Sequence, residues 1–267
     1  MTGRFAPSPT GSLHLGNLRT AIAAWLAARA QGLAFIVRME DLDRHQSSVA
    51  HAAGQLADLA AIGLDWNGDV VRQSERFDLY NDALSTLRAR GLVYECFCSR
   101  REVRAEIDAS PSAPHLPPGS YPGTCRTLSA AKRRRFEAEG RSPALRIRAL
   151  DAGEQEPGSF ISFVDMVAGA TSGGVDDFVL RRNDGVPAYN LAVVVDDAAQ
   201  GVTQIVRGDD LLLHAVDHSR QLGDPLDRGD HAVALLALID HRHAVEPGES
   251  LVVLLHVLRE GSPACHG

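Results

Sequence analysis

Lysine is almost missing from this chain. It occurs once, at Lys132, so nearly all of the 27 basic residues are arginine. A guanidinium is a forked donor and an ammonium a compact point charge, so chemistry that needs a lysine beyond position 132 has no residue to perform it. No run of about 18 apolar residues occurs, which leaves no candidate membrane span. The first residues lack the charged-then-apolar order of a secretory signal, and a cytoplasmic, monomeric protein is expected. Cysteine is scarce, at four, which in such a chain argues for metal or chance and against a disulfide framework. Net charge is −7 with a pI near 5.9. That excludes holding long nucleic acid by charge alone, so any RNA contact must be local. With 267 residues and 45% apolar content, one large globular domain or two small ones is expected.

The most informative stretch opens the chain: Gly3-Arg4-Phe5-Ala6-Pro7-Ser8-Pro9-Thr10-Gly11-Ser12-Leu13-His14-Leu15-Gly16-Asn17. It begins with residues able to form a strand and is turned by its prolines and glycines. It then runs into an alanine-rich helical pattern from Leu18 to Ala30. Strand, Gly/Pro loop and helix start together make an anion cradle, because free backbone N–H groups and the positive end of the helix dipole face the same spot. His14 stands at the mouth of the turn, where it either donates to a phosphate oxygen or simply belongs to a capped, solvated turn.

Ala34 to Met39 is a short β-prone run after Gly32. Strand, helix and strand in that order predict a right-handed βαβ unit in a parallel sheet. Glu40-Asp41-Leu42-Asp43 follows, at the crevice where open α/β sheets bind ligands. Glu40 there can hold a substrate ammonium or belong to a solvated acidic turn. Helices are predicted over 50–62 and 77–90, each ended by a glycine, Gly63 and Gly91. A charged helix over 128–140 carries Lys132-Arg133-Arg134-Arg135, either a solvated face or a contact for RNA phosphates. Strands are expected at 144–148, 160–165 and 178–181. Pro187 to Asp197 returns to the core as an apolar run containing Tyr189, which packs or reaches the substrate. Ile205 to Leu211 reads as a strand entering a turn. Arg207 at its end can pair a carboxylate bidentately, which lysine does less well.

Cys96-Phe97-Cys98 and Tyr121-Pro122-Gly123-Thr124-Cys125 place three thiols around one loop. Zn²⁺ takes four ligands in a tetrahedron, so three thiolates and one further group suffice; three unrelated cysteines are the alternative. A tyrosine oxygen could be the fourth ligand if the metal lowered its pKa. Residues 110–119, rich in serine and proline, form a loop by composition. Cys265 lies outside the set.

The opening stretch resembles the ATP-binding HIGH segment of class I aminoacyl-tRNA synthetases, in the form RFAPSPTG-x-LH-x-G of the glutamyl branch, with Asn17 at the fourth position. Further stretches are similar to that branch. Arg38 to Asp43 resembles its R-x-E-D-x-D and Gln73 to Arg76 its QSxR; Ala188 to Asp197 resembles its AYNLAVVVDD and Val206 to Leu211 its VRGxDL. The order C-x-C, then Y-x₃-C, resembles the zinc site of the glutamyl-Q subgroup, shortened paralogues within the branch. The resemblance implies an α/β fold: a doubly wound parallel-sheet class I catalytic core with an inserted zinc-bearing α+β subdomain. The core would occupy 1–90 and 185–212. The insertion, 91–184, would approach the RNA acceptor, and 213–267 would be a divergent tail.

By the same resemblance, His14 and Gly16 are catalytic, and ATP with Mg²⁺ lies against His14, Gly16 and Asn17. L-Glutamate is held by Arg4, Phe5, Ala6, Pro7, Ser8, Glu40, Tyr189 and Arg207. One structural Zn²⁺ sits on Cys96, Cys98, Tyr121 and Cys125. The implied reaction forms glutamyl-adenylate without tRNA and passes the glutamate to the queuosine base of tRNA(Asp).

The resemblance ends near Leu212. The branch continues with a KMSKS-type loop whose lysine stabilises the ATP phosphates; here the only cations beyond Leu212, histidine aside, are Arg220, Arg228, Arg242 and Arg259. Most of the eleven histidines also lie there, without metal-site spacing. A break in mid-domain with no linker is what a shift out of the ancestral coding frame produces, and resequencing tests it. Four readings stay open: transfer of the glutamyl-Q type, a glutamyl-tRNA synthetase fragment charging tRNA(Glu), a relative that binds glutamate or RNA without activating it, and a zinc-dependent structural module with no ligand, which the intact glutamate-site stretches disfavour. No anticodon-binding domain is expected at this length.

Overall fold

The computed structural model describes residues 1–109, 121–149, 160–165, 169–174 and 177–206. In chain order its elements are β1 (Thr2–Phe5), α1 (Leu15–Ala30), β2 (Ala34–Met39), α2 (Val49–Ala61), β3 (Val71–Arg72), a 3₁₀ turn (Gln73–Glu75), α3 (Phe77–Ala89), β4 (Val93–Cys96), α4 (Arg100–Ala109), α5 (Ala130–Ala138), β5 (Ala144–Ile147), β6 (Phe160–Asp165), β7 (Gly169–Gly174), β8 (Val179–Arg181), α6 (Tyr189–Ala199) and β9 (Val202–Ile205).

Four strands form an all-parallel sheet in the order β3-β2-β1-β9. β1 lies inside it, with Arg4 opposite Ile36 of β2 and Ile205 of β9. Helix α1 is the crossover between β1 and β2, and Ala21, Ala24 and Ala28 are its buried face. Small side chains let the helix close on the sheet. A Cβ at Gly3 would stand 2.8 Å from the Ala28 Cβ, so only glycine permits that approach on β1. The core of this layer is filled by Phe5, Phe35, Val37, Met39, Leu59 and Leu64.

β4, β5 and β8 form a second, antiparallel sheet, and β6 and β7 a hairpin. Leu145, Ile147 and Leu180 of that sheet share one buried core with Tyr80, Leu84 and Leu87 of α3 and with Leu191 and Val194 of α6. Each such side chain contributes about 1.5–3 kcal/mol by burial, so the antiparallel sheet is packed firmly onto α3 and α6.

The apolar run before Asp197 is helix α6. Leu191 through Asp197 are all buried, the mark of a helix enclosed on every side. Helix α4 carried a weak signal: Val103 and Ile107, one turn apart, are its half-buried residues beside Glu106. β7 is glycine-rich and takes its extended form from pairing with β6 rather than from propensity.

Candidate active site

β1 ends at Phe5, and the chain crosses a loop before entering α1. Three neighbours pin that loop. The Glu40 N–H donates to the Pro7 carbonyl at 3.0 Å and the Ser48 N–H to the Pro9 carbonyl at 3.0 Å. Gln55, buried on α2, donates through Nε2 to the carbonyls of Ser8 at 3.0 Å and Gly11 at 2.8 Å. Phe5 and Pro7 are buried, Ala6 is half-buried and Ser8 exposed.

α1 starts at Leu15, three residues earlier than its alanine pattern, because His14 and Asn17 form a reciprocal cap. His14 Nδ1 accepts the Asn17 N–H at 3.3 Å, and Asn17 Oδ1 accepts the His14 N–H at 3.2 Å. A ring nitrogen that accepts carries no proton, so the neutral imidazole holds its proton on Nε2. That leaves an Nε2–H donor on an exposed residue at the positive end of a helix. A Cβ at Gly16 would lie 3.0 Å from both Cε1 and Nδ1 of His14, so glycine there makes room for the ring.

Beside this loop lies a buried cluster of charge. Arg4 presents Nε to Asp197 Oδ1 at 3.0 Å and Nη2 to Oδ2 at 3.3 Å. Arg38 donates through Nη1 to the same Oδ1 at 2.7 Å and through Nη2 to Glu40 Oε1 at 3.2 Å. Asp196 accepts from Arg76 Nε at 2.6 Å, Gln73 Nε2 at 2.9 Å and the Tyr80 hydroxyl at 2.8 Å. Burial works against the Arg38 cation, but Asp197, Glu40 and Asp196 outweigh it and strengthen its hold on the proton. Burial likewise opposes the Asp197 carboxylate, yet Arg4 and Arg38 keep its pKa below the usual value. Glu40 is the exception: burial pushes its carboxyl up, and Arg38 and Arg4 offset this only partly. A buried carboxylate short of positive charge is one that an incoming ammonium stabilises. Asp41 is otherwise engaged, accepting the Ser74 N–H and hydroxyl at 2.8 Å each.

Tyr189 is the first residue of α6, half-buried against the core of α3 and the antiparallel sheet. Asp197 lies on the same helix, roughly 12 Å further along its axis. Arg207 lies outside the described residues, as does the tail over 213–267. The chain's motifs thus supplied Arg4 and Glu40 but not the groups that hold them. Arg38, Asp196, Asp197 and Gln55 are those groups, and their only mark in the sequence is a charged or amide side chain inside or at the end of an apolar run.

The second constellation is the thiol set. The sulfurs of Cys96, Cys98 and Cys125 all lie within 4.8 Å of one another. The Tyr121 hydroxyl oxygen is 3.3 Å from Cys96 Sγ and 3.8 Å from Cys98 Sγ, and it accepts the Cys125 N–H at 3.0 Å. Ligands 2.3 Å from a tetrahedral metal stand about 3.8 Å apart; Cys98 Sγ lies 3.5 Å from Cys125 Sγ and 3.8 Å from the Tyr121 oxygen, and the three sulfurs are close enough to share one ion. Hydrogen bonds with Cys125 and Cys98 hold the Cys96 thiol well below its usual pKa, helped by the Arg146 guanidinium. Arg146 also stacks 3.7 Å from the centre of the Tyr121 ring. The set can hold a metal ion.

The family description "tRNA synthetases class I (E and Q), catalytic domain" matches residues 1–221. The chain belongs to this family. Similarity to individual synthetases is high. A glutamyl-Q tRNA(Asp) synthetase from Nocardia farcinica is 59% identical over 210 residues, covering 79% of this chain and 63% of that protein. One from Symbiobacterium thermophilum is 46% identical over 253 residues, covering 88% of this chain and 75% of that protein. A glutamate–tRNA ligase from Oleidesulfovibrio alaskensis is 45% identical over 78% of this chain but only 42% of its own length. Among solved structures, the glutamate-tRNA synthetase from Elizabethkingia anophelis superposes with a TM-score of 0.65 at 28% identity, over 79% of this chain and 45% of that one. The chain thus spans about three fifths of the first of these synthetases and less than half of the glutamate–tRNA ligases. Class I synthetases of this family use ATP. Among the described residues, no helix is long and apolar enough to cross a membrane.

Proposed function

We propose that this chain activates L-glutamate with ATP, accompanied by Mg²⁺, and transfers it to the queuosine base of tRNA(Asp). The observation that carries the first half is the buried pair Glu40 and Arg4. One is a carboxylate short of positive charge; the other is a guanidinium oriented by Asp197, and both adjoin the His14 loop. An amino acid with a carboxylate side chain matches both ends: its ammonium at Glu40, its side-chain carboxylate at Arg4. Tyr189 and Arg207 complete the proposed pocket, with Phe5 to Ser8 shaping its wall. His14 donates from Nε2 to the phosphates, and Gly16 and Asn17 keep its ring in place. The main-chain carboxylate of glutamate attacks the α-phosphorus, pyrophosphate leaves, and glutamyl-adenylate remains. Catalysis is then positioning and charge stabilisation. The tRNA(Asp) half is supported by the names of the glutamyl-Q relatives.

Zn²⁺ is proposed on Cys96, Cys98, Cys125 and the Tyr121 oxygen. There it would supply structural cross-linking of β4 to the following loop.

One sequence feature favours a second reading. With no lysine beyond Lys132, the ATP loop of the family has no lysine to offer, and a core that binds glutamate without activating it fits that. Glutamate-dependent ATP–pyrophosphate exchange on this chain, without tRNA, separates the two. Exchange supports activation. Binding of glutamate without exchange supports the second reading. Subsequent transfer to tRNA(Glu) but not to tRNA(Asp) bearing queuosine would overturn the proposed acceptor.

A further inference from the structure

Arg38 has a side chain wholly shut off from solvent. A guanidinium does not shed its proton, so its charge has to be matched where it stands. Nη1 is shared between Asp197 Oδ1 at 2.7 Å and Gln200 Oε1 at 2.9 Å; Nη2 goes to Glu40 Oε1 at 3.2 Å; Asp196 Oδ2 lies 3.8 Å from Nε. As a device for stability alone this is a poor choice, because apolar residues of similar volume commonly do as well as a buried ion cluster. What the guanidinium does here, and an apolar side chain could not, is join two functional groups.

One of these is Glu40, which Arg38 holds by Oε1; Oε2 makes no hydrogen bond among the described residues. The other is Arg4, reached through Asp197: the carboxylate takes the Nε/Nη2 edge of Arg4, whose Nη1 makes no hydrogen bond among the described residues. The two atoms left over, a carboxylate oxygen and a guanidinium nitrogen, are complementary to the two ends of one amino acid. They come from different elements. Arg4 is on β1, Glu40 follows β2, and Asp197 is on α6. The planar fork of Arg38 spans the gap with fixed geometry, which a flexible ammonium cannot reproduce.

We propose that Arg38 is a positioning residue that sets the separation between the ammonium-binding and side-chain-carboxylate-binding groups, and thereby makes the site select glutamate over aspartate. This rests on the glutamate reading of the pocket given above. Aspartate is one methylene shorter. It reaches both groups only if one moves, and Arg38 holds both. A site that measures one methylene discriminates by about 10–200-fold.

The test is equilibrium binding of L-glutamate and of L-aspartate by titration calorimetry, on the full chain and on Arg38→Lys, with melting temperature and ATP binding measured alongside. R38K keeps the charge and removes the fork. The expected result is a fall in glutamate affinity of about tenfold or more, and a glutamate-to-aspartate ratio that drops toward unity, with ATP binding retained. A ratio that stays at the wild-type value in a folded R38K, both affinities falling together, would overturn the proposal, since that is what a merely structural residue does. If R38K does not fold, Gln200→Leu removes one acceptor from Nη1 at the half-buried end of α6. A smaller drop in the same ratio supports the proposal, and an unchanged ratio overturns it. A wild-type chain that binds both amino acids equally also overturns it. One that binds neither overturns the glutamate reading itself.

Discussion

The Arg4 guanidinium lies edge-on to the Asp197 carboxylate, 3.0 Å from Nε to Oδ1 and 3.3 Å from Nη2 to Oδ2, across 193 residues of sequence. Bidentate geometry of this kind fixes the plane of both groups. It ties the central strand of the parallel sheet to the last described helix, and Arg38 completes the tie from β2.

Asp197→Asn should therefore be the most disruptive single-atom change in this region. It leaves two buried guanidinium groups short of one negative charge, and breaking a buried pair costs about 3–5 kcal/mol. Chemical denaturation should show that loss. A destabilisation within experimental error of zero would mean that the Arg4 and Arg38 contacts contribute nothing net.

Glu40→Gln should separate stability from function, and the sign follows from direction alone. The Glu40 carboxyl is raised from 4.5 in the fold, so its ionisation opposes folding. That penalty is absent below the unfolded value and grows as pH rises through the folded one. Asp197 is lowered from 3.8, so it stabilises above that value and the contribution is lost as pH falls. Relative to wild type, E40Q should gain stability as pH is raised from about 4 to 7. Its glutamate affinity should fall about 10–100-fold, the worth of a hydrogen bond to a charged group. A pH-independent difference in melting temperature between the two proteins would contradict the assignment.

Gly16→Ala tests the cap. The added methyl meets the His14 ring at 3.0 Å, so the ring must move off the Asn17 N–H. Losing a helix cap costs about 1 kcal/mol, and ATP affinity should fall with it. Unchanged ATP affinity would argue against His14 as a phosphate donor.

Gln55→Leu removes two hydrogen bonds to the loop carbonyls of Ser8 and Gly11. Each is worth about 0.5–1.5 kcal/mol. Weaker ATP binding with glutamate binding intact is the expected outcome, measured by separate titrations; equal loss of both would show that the loop is not specifically its charge.

Metal analysis of the purified chain should find zinc, and Cys98→Ser should lose it together with some thermal stability, because metal binding free energy adds to folding free energy. Wild-type protein free of metal and equally stable in chelator would leave the thiols without that role.

How much of this was readable beforehand differs by element. The turn-forming prolines, the alanine pattern and His14 gave the strand–loop–helix cradle directly, since all its parts are neighbours in sequence. Glu40 does follow a strand, β2, but position alone left it open between an acidic turn and a substrate contact, and only the resemblance pointed to glutamate. Cys96, Cys98, Tyr121 and Cys125 come together as a set only through the resemblance to the glutamyl-Q zinc pattern; in the fold the three sulfurs lie within 4.8 Å of one another, with the Tyr121 oxygen beside Cys96 and Cys98. The alanine pattern puts the start of α1 three residues late, because the cap that sets it is a pair of side-chain contacts rather than a periodicity. α4 leaves no legible signal, because two apolar residues are too few to define a period.

What sequence determined here is local and chemical: which residues turn the chain, which can carry charge or bind a metal, and that no lysine follows Lys132. Tertiary structure alone decided which of those charges are shut away together. Arg38, Asp196 and Asp197 read as ordinary ionic residues at the edges of apolar runs. They become a cluster only when β1, β2 and α6 are packed side by side and water is excluded between them. Burial then turns weak surface charges into strongly coupled ones, because attraction between ions grows as the surrounding dielectric falls.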